Sequence, residues 1–167
     1  CGRVCPAPCE PACTRANLDS ALAIRQLKRF AADQEMKLVK SGEIKLPQEK
    51  PIPADAKKIA VIGAGPAGLT AAGDLADKGF AVTVYETRET AGGMLIWGIP
   101  QYRLPKDILD YEVELIRRKG VKFVYNCSIG KDKTIEDLQK ENNAVFISAG
   151  AHVSRKLGIG GENKDGV

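Results

Sequence analysis

Apolar residues along this chain fall into short continuous runs and helically spaced stripes, and these predict its elements. Ile59, Ala60, Val61 and Ile62 form an unbroken apolar run, as expected of a strand covered on both faces of a parallel sheet. After a glycine turn, Leu69, Ala72, Leu75 and Ala76 recur at helical spacing and Gly79 ends that helix. Phe80 to Tyr85 then reads as a second strand. Further on, Ile108, Leu109, Val113 and Ile116 mark the inward side of a helix opened by Pro105, carrying Arg117, Arg118 and Lys119 at its carboxyl end and stopped by Gly120. Val121 to Tyr125 is a third strand, Thr134 to Glu141 a short helix and Ala144 to Ser148 a fourth strand. The tail, with Gly158, Gly160, Gly161 and Gly166, reads as loop, and no internal repeat is present.

The amino-terminal third has a different texture. From Leu18 to about Val39 the apolar positions Leu18, Ala21, Leu22, Leu27, Phe30 and Ala31 predict a helix with Asn17 as its N-cap, packed on the preceding segment or on the main domain. Beyond that helix the chain carries Gly42, Pro47, Pro51 and Pro53 and little periodicity, so 41–56 reads as an extended linker. The expected organisation is a helical, cysteine-rich segment over 1–40, this linker, and an α/β domain with a Rossmann-like parallel sheet over 57–167.

The glycine turn carries the first chemistry. Gly63, Gly65 and Gly68 have the spacing G-x-G-x-x-G between a strand and a helix, and each glycine has its own task. Gly63 makes the tight turn, Gly65 lets backbone approach a pyrophosphate and Gly68 allows close helix packing. Pro66 suits the first helical position, where its missing N–H costs nothing. The helix then presents free N–H groups and its positive dipole end to a phosphate. Glu86, at the end of the second strand, is placed to accept hydrogen bonds from an adenosine ribose and to repel a 2′-phosphate.

Four of the five cysteines lie in CGRVCPAPCEPAC, spaced C-x-x-x-C-x-x-x-C-x-x-x-C. Pro6, Pro8 and Pro11 forbid a regular helix there, so the thiols must sit on a folded loop. Disulfides, zinc and iron–sulfur clusters all use thiols this dense. The cytosolic character of the remainder disfavours disulfides, and the C-x-x-C pairs usual for zinc are missing, which leaves cluster or metal ligation against unligated surface thiols. His152 is the one histidine and Cys127 lies far from the other thiols; the first reads as non-catalytic and the second as a packed thiol. Trp97 and Tyr102 read equally as the border of a flavin ring or as core or rim. The paired Gly92 and Gly93 beyond Glu86 would let backbone approach a flavin closely, where a plain NAD domain would run directly into its next helix.

Composition narrows the class further. The 167 residues are 44% hydrophobic and 28% charged, the balance of a soluble globular protein. A net charge of +4, with no basic run interleaved with aromatics, argues against a nucleic-acid surface. No apolar stretch is long enough to span a membrane and no signal-peptide pattern opens the chain, so a cytoplasmic location is the expectation. The chain begins at Cys1, inside a motif, which leads us to expect that it is part of a longer protein.

Together CGRVCPAPCEPAC, VIGAGPAGLTAA, AGGMLIWGIPQYRLPK and ISAGA resemble the small-subunit family of NADPH-dependent glutamate synthase. That family is related to the flavin subunit of NADH-dependent ferredoxin:NADP oxidoreductase and to the amino-terminal half of dihydropyrimidine dehydrogenase. The resemblance implies FAD held at or near Gly63, Gly65, Ala67, Gly68, Glu86, Gly93, Leu95, Arg103, Ile129 and Gly150. It also implies thiolates from Cys5, Cys9 and Cys13 for 4Fe-4S clusters, hydride supply from NAD(P)H and an electron-accepting partner subunit. Family members carry a further cysteine group upstream, a second nucleotide domain for NADPH downstream and, in some, a Gln or Glu ligand near the position of Lys28. Lacking these, the chain alone is expected to oxidise NADPH poorly. A non-catalytic module for assembly with a partner and a simple NAD-binding dehydrogenase domain are the competing readings.

Overall fold

A computed structural model describes residues 2–152 and 155–165. Cys1, the first thiol of the cysteine series, lies outside the described residues, as does Gly166 of the tail. Four parallel strands, β1 (Lys58–Ile62), β2 (Ala81–Tyr85), β3 (Lys122–Val124) and β4 (Ala144–Ile147), form one sheet in the order β3-β2-β1-β4. Its helices are α1 (Ile24–Ser41), α2 (Pro66–Asp77), α3 (Met94–Trp97), α4 (Lys106–Arg118) and α5 (Ile135–Glu141). This is the α/β class and parallel sheet read from the apolar runs. The short helix α3 lies in the segment that reads as irregular.

Register fixes where a site can be. Ile62 ends β1 opposite Tyr85 of β2 on one side and Ile147 of β4 on the other, so three strands finish level. The glycine turn, Glu86 and Ser148 therefore leave the sheet at the same edge. Strand order reverses there, because the chain goes from β1 to β2 on one side and places β4 on the other, which opens a crevice.

Both faces of β1 are covered, as its apolar run requires. Ile59 and Val61 pack in the cluster that contains Ala72 and Ala76 of α2 and Leu109 and Val113 of α4. Ala60 and Ile62 pack with the fully buried Leu138 of α5. Val61, Val82 and Val84 are all but inaccessible to solvent, and burying each side chain stabilises the fold by about 1.5–3 kcal/mol. Thr134 caps α5 in a reciprocal box with Asp137, whose own backbone N–H donates to the threonine hydroxyl at 3.1 Å. Pro105 is the N-cap of α4 rather than its first helical residue.

The amino-terminal helix differs from the sequence expectation in its start and its facing. It begins at Ile24, and Asn17 ends a 3₁₀ turn over Thr14–Asn17 instead of capping a helix. Asp19 explains the delay, since its carboxylate takes the Ser20 N–H at 2.6 Å and the Arg15 guanidinium, fixing a turn where a helix would otherwise run. The cap comes from outside the helix: Glu10 of the cysteine loop accepts from the Arg25 N–H at 2.8 Å. The helix does pack on the cysteine loop, but through a polar face. Arg3 Nη2 donates to both oxygens of Asp33 at 2.8 and 2.9 Å, and Gly2 passes so close that a Cβ there would lie 2.6 Å from the Arg29 nitrogen. The apolar positions Leu18, Ala21, Leu22, Leu27, Phe30 and Ala31 are all exposed instead. The loop offers that helix charges and carbonyls rather than an apolar surface, and the helix turns its polar side to them.

Residues 41–56 contain no strand, and α1 reaches only to Ser41. The segment is tied down along the end of α4. Lys50 donates its backbone N–H to the Arg118 carbonyl at 2.9 Å, Arg118 reaches the Pro47 carbonyl at 3.0 Å, and Ile52 lies against Gly120.

Candidate functional site

The three glycines of the turn have three different surroundings. Gly63 has φ +95°, and a Cβ on it would lie 2.4 Å from the Ser148 carbonyl oxygen. At Gly68 a Cβ would sit on the Gly63 carbonyl oxygen, 1.9 Å away, so α2 can start against β1 only without a side chain. Gly65 is unlike either. Its φ of −77° is ordinary and a Cβ there would meet nothing within 4 Å, so neither backbone nor packing demands glycine. The space above Gly65 is open.

That space belongs to a cleft of about 510 Å³ at the carboxyl edge of the sheet. Its wall includes Gly63, Gly65, Ala67, Glu86, Gly93, Ile129 and Gly150 of the sequence-derived set. Gly68 lies beneath the cleft as packing. Leu95 and Arg103 are not on its wall: Leu95 turns towards the core near Leu109, and Arg103 is exposed in the turn beyond Pro100. The spacing of AGGMLIWGIPQYRLPK did not reveal this, because α3 and the next turn rotate the two side chains away from the glycine turn.

Glu86 stands where β2 delivers it, but its carboxylate already has two backbone partners. Oε2 accepts from the Ala64 N–H at 2.8 Å and Oε1 from the Arg88 N–H at 2.9 Å. The acid therefore pins the glycine turn to the end of β2 and keeps lone pairs free toward the cleft. Ser148 does the same from the other side, donating through Oγ to the Ile62 carbonyl at 2.8 Å. Gly93, with φ +53°, passes so near Gly65 that a Cβ would be 2.9 Å from its Cα, so α3 begins beside the start of α2.

Residues on the wall that sequence reasoning missed include Tyr85, Arg88, Cys127 and His152. Tyr85 was legible as the last residue of a strand ending at a crevice. Cys127 is half-buried at the cleft instead of packed in the core, held there by its N–H to the Glu86 carbonyl at 2.9 Å. Trp97 is not on the cleft wall and is 47% exposed, with the Arg88 guanidinium carbon 4.7 Å from its ring centre, and Tyr102 is exposed.

The cysteine loop is turned by Ala7, which is buried and has φ +56°. Cys5 and Cys9 line one small pocket with Arg25 and Lys28, and Cys13 is not on that wall. Backbone N–H groups of Leu22 first, then Arg15 and Ala16, hold the Cys13 thiol below its usual pKa. Among the described residues no three His, Cys, Asp or Glu side chains gather around one position that would hold a metal ion. Among the described residues these thiols alone do not compose a metal site.

Two family models match the chain: an NAD(P)-binding Rossmann-like domain over residues 61–120 and dihydropyrimidine dehydrogenase domain II, 4Fe-4S cluster, over residues 1–40. The chain is 45% identical to the beta subunit of NADP(+)-dependent formate dehydrogenase of Moorella thermoacetica, over 98% of this chain and 25% of that protein. It is 40% identical to the small chain of NADPH glutamate synthase of Bacillus subtilis, over 99% of this chain and 33% of the relative. Among solved structures, Mycobacterium tuberculosis FprA in complex with NADPH superposes with a TM-score of 0.57 at 26% identity, over 65% of this chain and 26% of that one. The chain thus spans about a quarter to a third of the length of these curated relatives. The resemblance to the glutamate synthase small-subunit family, read from the motifs, holds along nearly all of the chain.

Proposed function

We propose that this chain is the FAD-holding part of an NAD(P)H-dependent flavin and iron–sulfur oxidoreductase, similar to the glutamate synthase small subunit. The observation that carries the reading is Gly65, a glycine that neither backbone conformation nor packing within the chain requires, placed at the start of α2 on the same cleft as Glu86. When bound, the flavin supplies two-electron exchange with a nicotinamide and single-electron exchange with clusters. The chain's own part is binding and orientation. The free N–H groups at the start of α2 and its dipole favour the pyrophosphate. Glu86 accepts from the ribose with its remaining lone pairs, and Gly93, Ile129 and Gly150 shape the cleft beside it.

The family matches support a division into a cysteine-rich segment over 1–40, a linker over 41–56 and the nucleotide domain over 57–167. In this reading Cys5, Cys9 and Cys13 are thiolate donors whose remaining ligands come from elsewhere, and an electron-accepting partner subunit completes the pathway. We place the protein in the cytoplasm; the free thiols Cys5, Cys9, Cys13 and Cys127 favour a reducing compartment, and no helix among the described residues is long and apolar enough to cross a membrane.

The test is reconstitution with FAD. The parent chain should retain a yellow flavin spectrum after gel filtration. Gly65→Val should lose it while melting near the parent, because its Cβ meets nothing in the chain within 4 Å and its methyl groups enter the cleft. A variant that keeps flavin normally would overturn the reading.

A further inference from the structure

Arg88 stands two residues beyond the acid at the end of β2. Its main chain is fixed by the hydrogen bond from its N–H to Glu86, whereas its side chain is exposed and lines the cleft. Of the cleft-lining residues among those described, Arg88 is the one Lys or Arg. It enters none of the ion pairs found among the described residues. Its guanidinium instead rests over Trp97, the last residue of α3, and the approach of Gly93 to Gly65 sets α3 beside the start of α2. The cation thus lines the same cleft as the turn that reads as a phosphate cradle.

We infer that Arg88 is a phosphate-binding residue of this cleft, pairing its guanidinium with the diphosphate of an adenine nucleotide, with Trp97 as the platform that holds it ready. This rests on the dinucleotide reading above and deepens it. At an exposed site a cation over a ring is held more weakly than a guanidinium in a charge-assisted fork on phosphate oxygens, so the exchange from ring to phosphate is downhill. It also supplies the one positive side chain that offsets Glu86 on the cleft wall. The fork geometry suits a diphosphate, whereas adenosine alone offers it no charge.

Trp97 is the single tryptophan of the chain, so its emission reports the exchange without a label. The experiment titrates the 167-residue chain with ADP and with adenosine, by Trp97 fluorescence and by calorimetry, in the parent, Arg88→Gln and Arg88→Lys. Arg88 is exposed, so both variants should melt with the parent. ADP should shift Trp97 emission in the parent, and Arg88→Gln should bind ADP roughly tenfold to a hundredfold more weakly. Adenosine binding should change by less than about twofold, and added salt should weaken ADP binding more in the parent than in Arg88→Gln. Arg88→Lys should recover part of the affinity, as a point charge without the fork. Equal ADP affinity in parent and Arg88→Gln overturns the inference, and so does an equal loss for ADP and adenosine. A parent chain that takes up neither FAD nor ADP overturns the dinucleotide reading and this inference with it. FAD uptake by the parent with unchanged ADP affinity in Arg88→Gln overturns the inference alone.

Discussion

The two ends of this chain are held by different physics. In the nucleotide domain β1 is sandwiched between two apolar clusters, and the site rides on strand ends that the core fixes. In the amino-terminal segment the buried apolar side chains are Ala7 and Met36 alone among the described residues up to Ser41. Its loop and helix meet through Arg3 with Asp33, Glu10 with the Arg25 N–H, and the close pass of Gly2. Apolar burial is non-directional and survives small changes, whereas a few polar ties each depend on one side chain. The nucleotide domain should therefore fail through steric insult to its turn, and the cysteine segment through loss of single contacts.

The largest effect is expected from Gly68→Ala, which drives a Cβ into the Gly63 carbonyl. Overpacking of that kind costs about 3 kcal/mol and should lower the melting temperature by on the order of 10 °C. A melt unchanged from the parent would break the claim that the turn is locked by contact. Next comes Glu86→Ala, expected to weaken flavin retention by roughly 1.5–3 kcal/mol. Because Glu86 also holds the Ala64 N–H, this variant should lose some stability even without flavin, visible in the apo-protein melt.

Asp33→Asn carries the comparison to the other end. It removes the charge that pairs with both Arg3 and Arg29 and one of the two acceptor oxygens, at a cost of about 1 kcal/mol. Cys5 and Cys9 should then be alkylated faster while the main melting transition stays in place. A shift of that transition would show the two regions to be one cooperative unit.

The smallest effect lies at the border. Asp77, at the carboxyl end of α2, is joined by Lys119 beyond α4 and by Lys50 of the linker, and these hydrogen bonds hold its carboxyl below the usual range, Lys119 first. Since its folded pKa is depressed, its stabilisation is present above the ordinary carboxylate value and fades as pH falls through the folded one. Asp77→Asn should therefore lower the melting temperature slightly at neutral pH and not at all in acid, as scanning calorimetry across pH would show.

Much of the nucleotide domain was legible because its signals are local. An apolar run such as Ile59 to Ile62 can be satisfied only between two covered faces, and G-x-G-x-x-G after it leaves the chain one turn to make. The same logic misjudged α1. The stripe from Leu18 to Phe30 had helical spacing, but periodicity names a face without naming what that face meets, and the nearest surface was a polar loop.

What the sequence determined by itself is the order and type of the four strands and of α2, α4 and α5, though not the short α3, together with the turn between β1 and α2 and the acid at the end of β2. Those come from period, glycine geometry and chain direction, each readable within a few residues. Tertiary structure alone decided that Ser148, about eighty residues further along the chain, closes against Gly63 and Gly68. It alone set Arg88 over Trp97, turned Leu95 and Arg103 away, and brought Glu10 to the first turn of α1. In each case the deciding partner is distant in sequence, and no local pattern encodes which distant group will arrive.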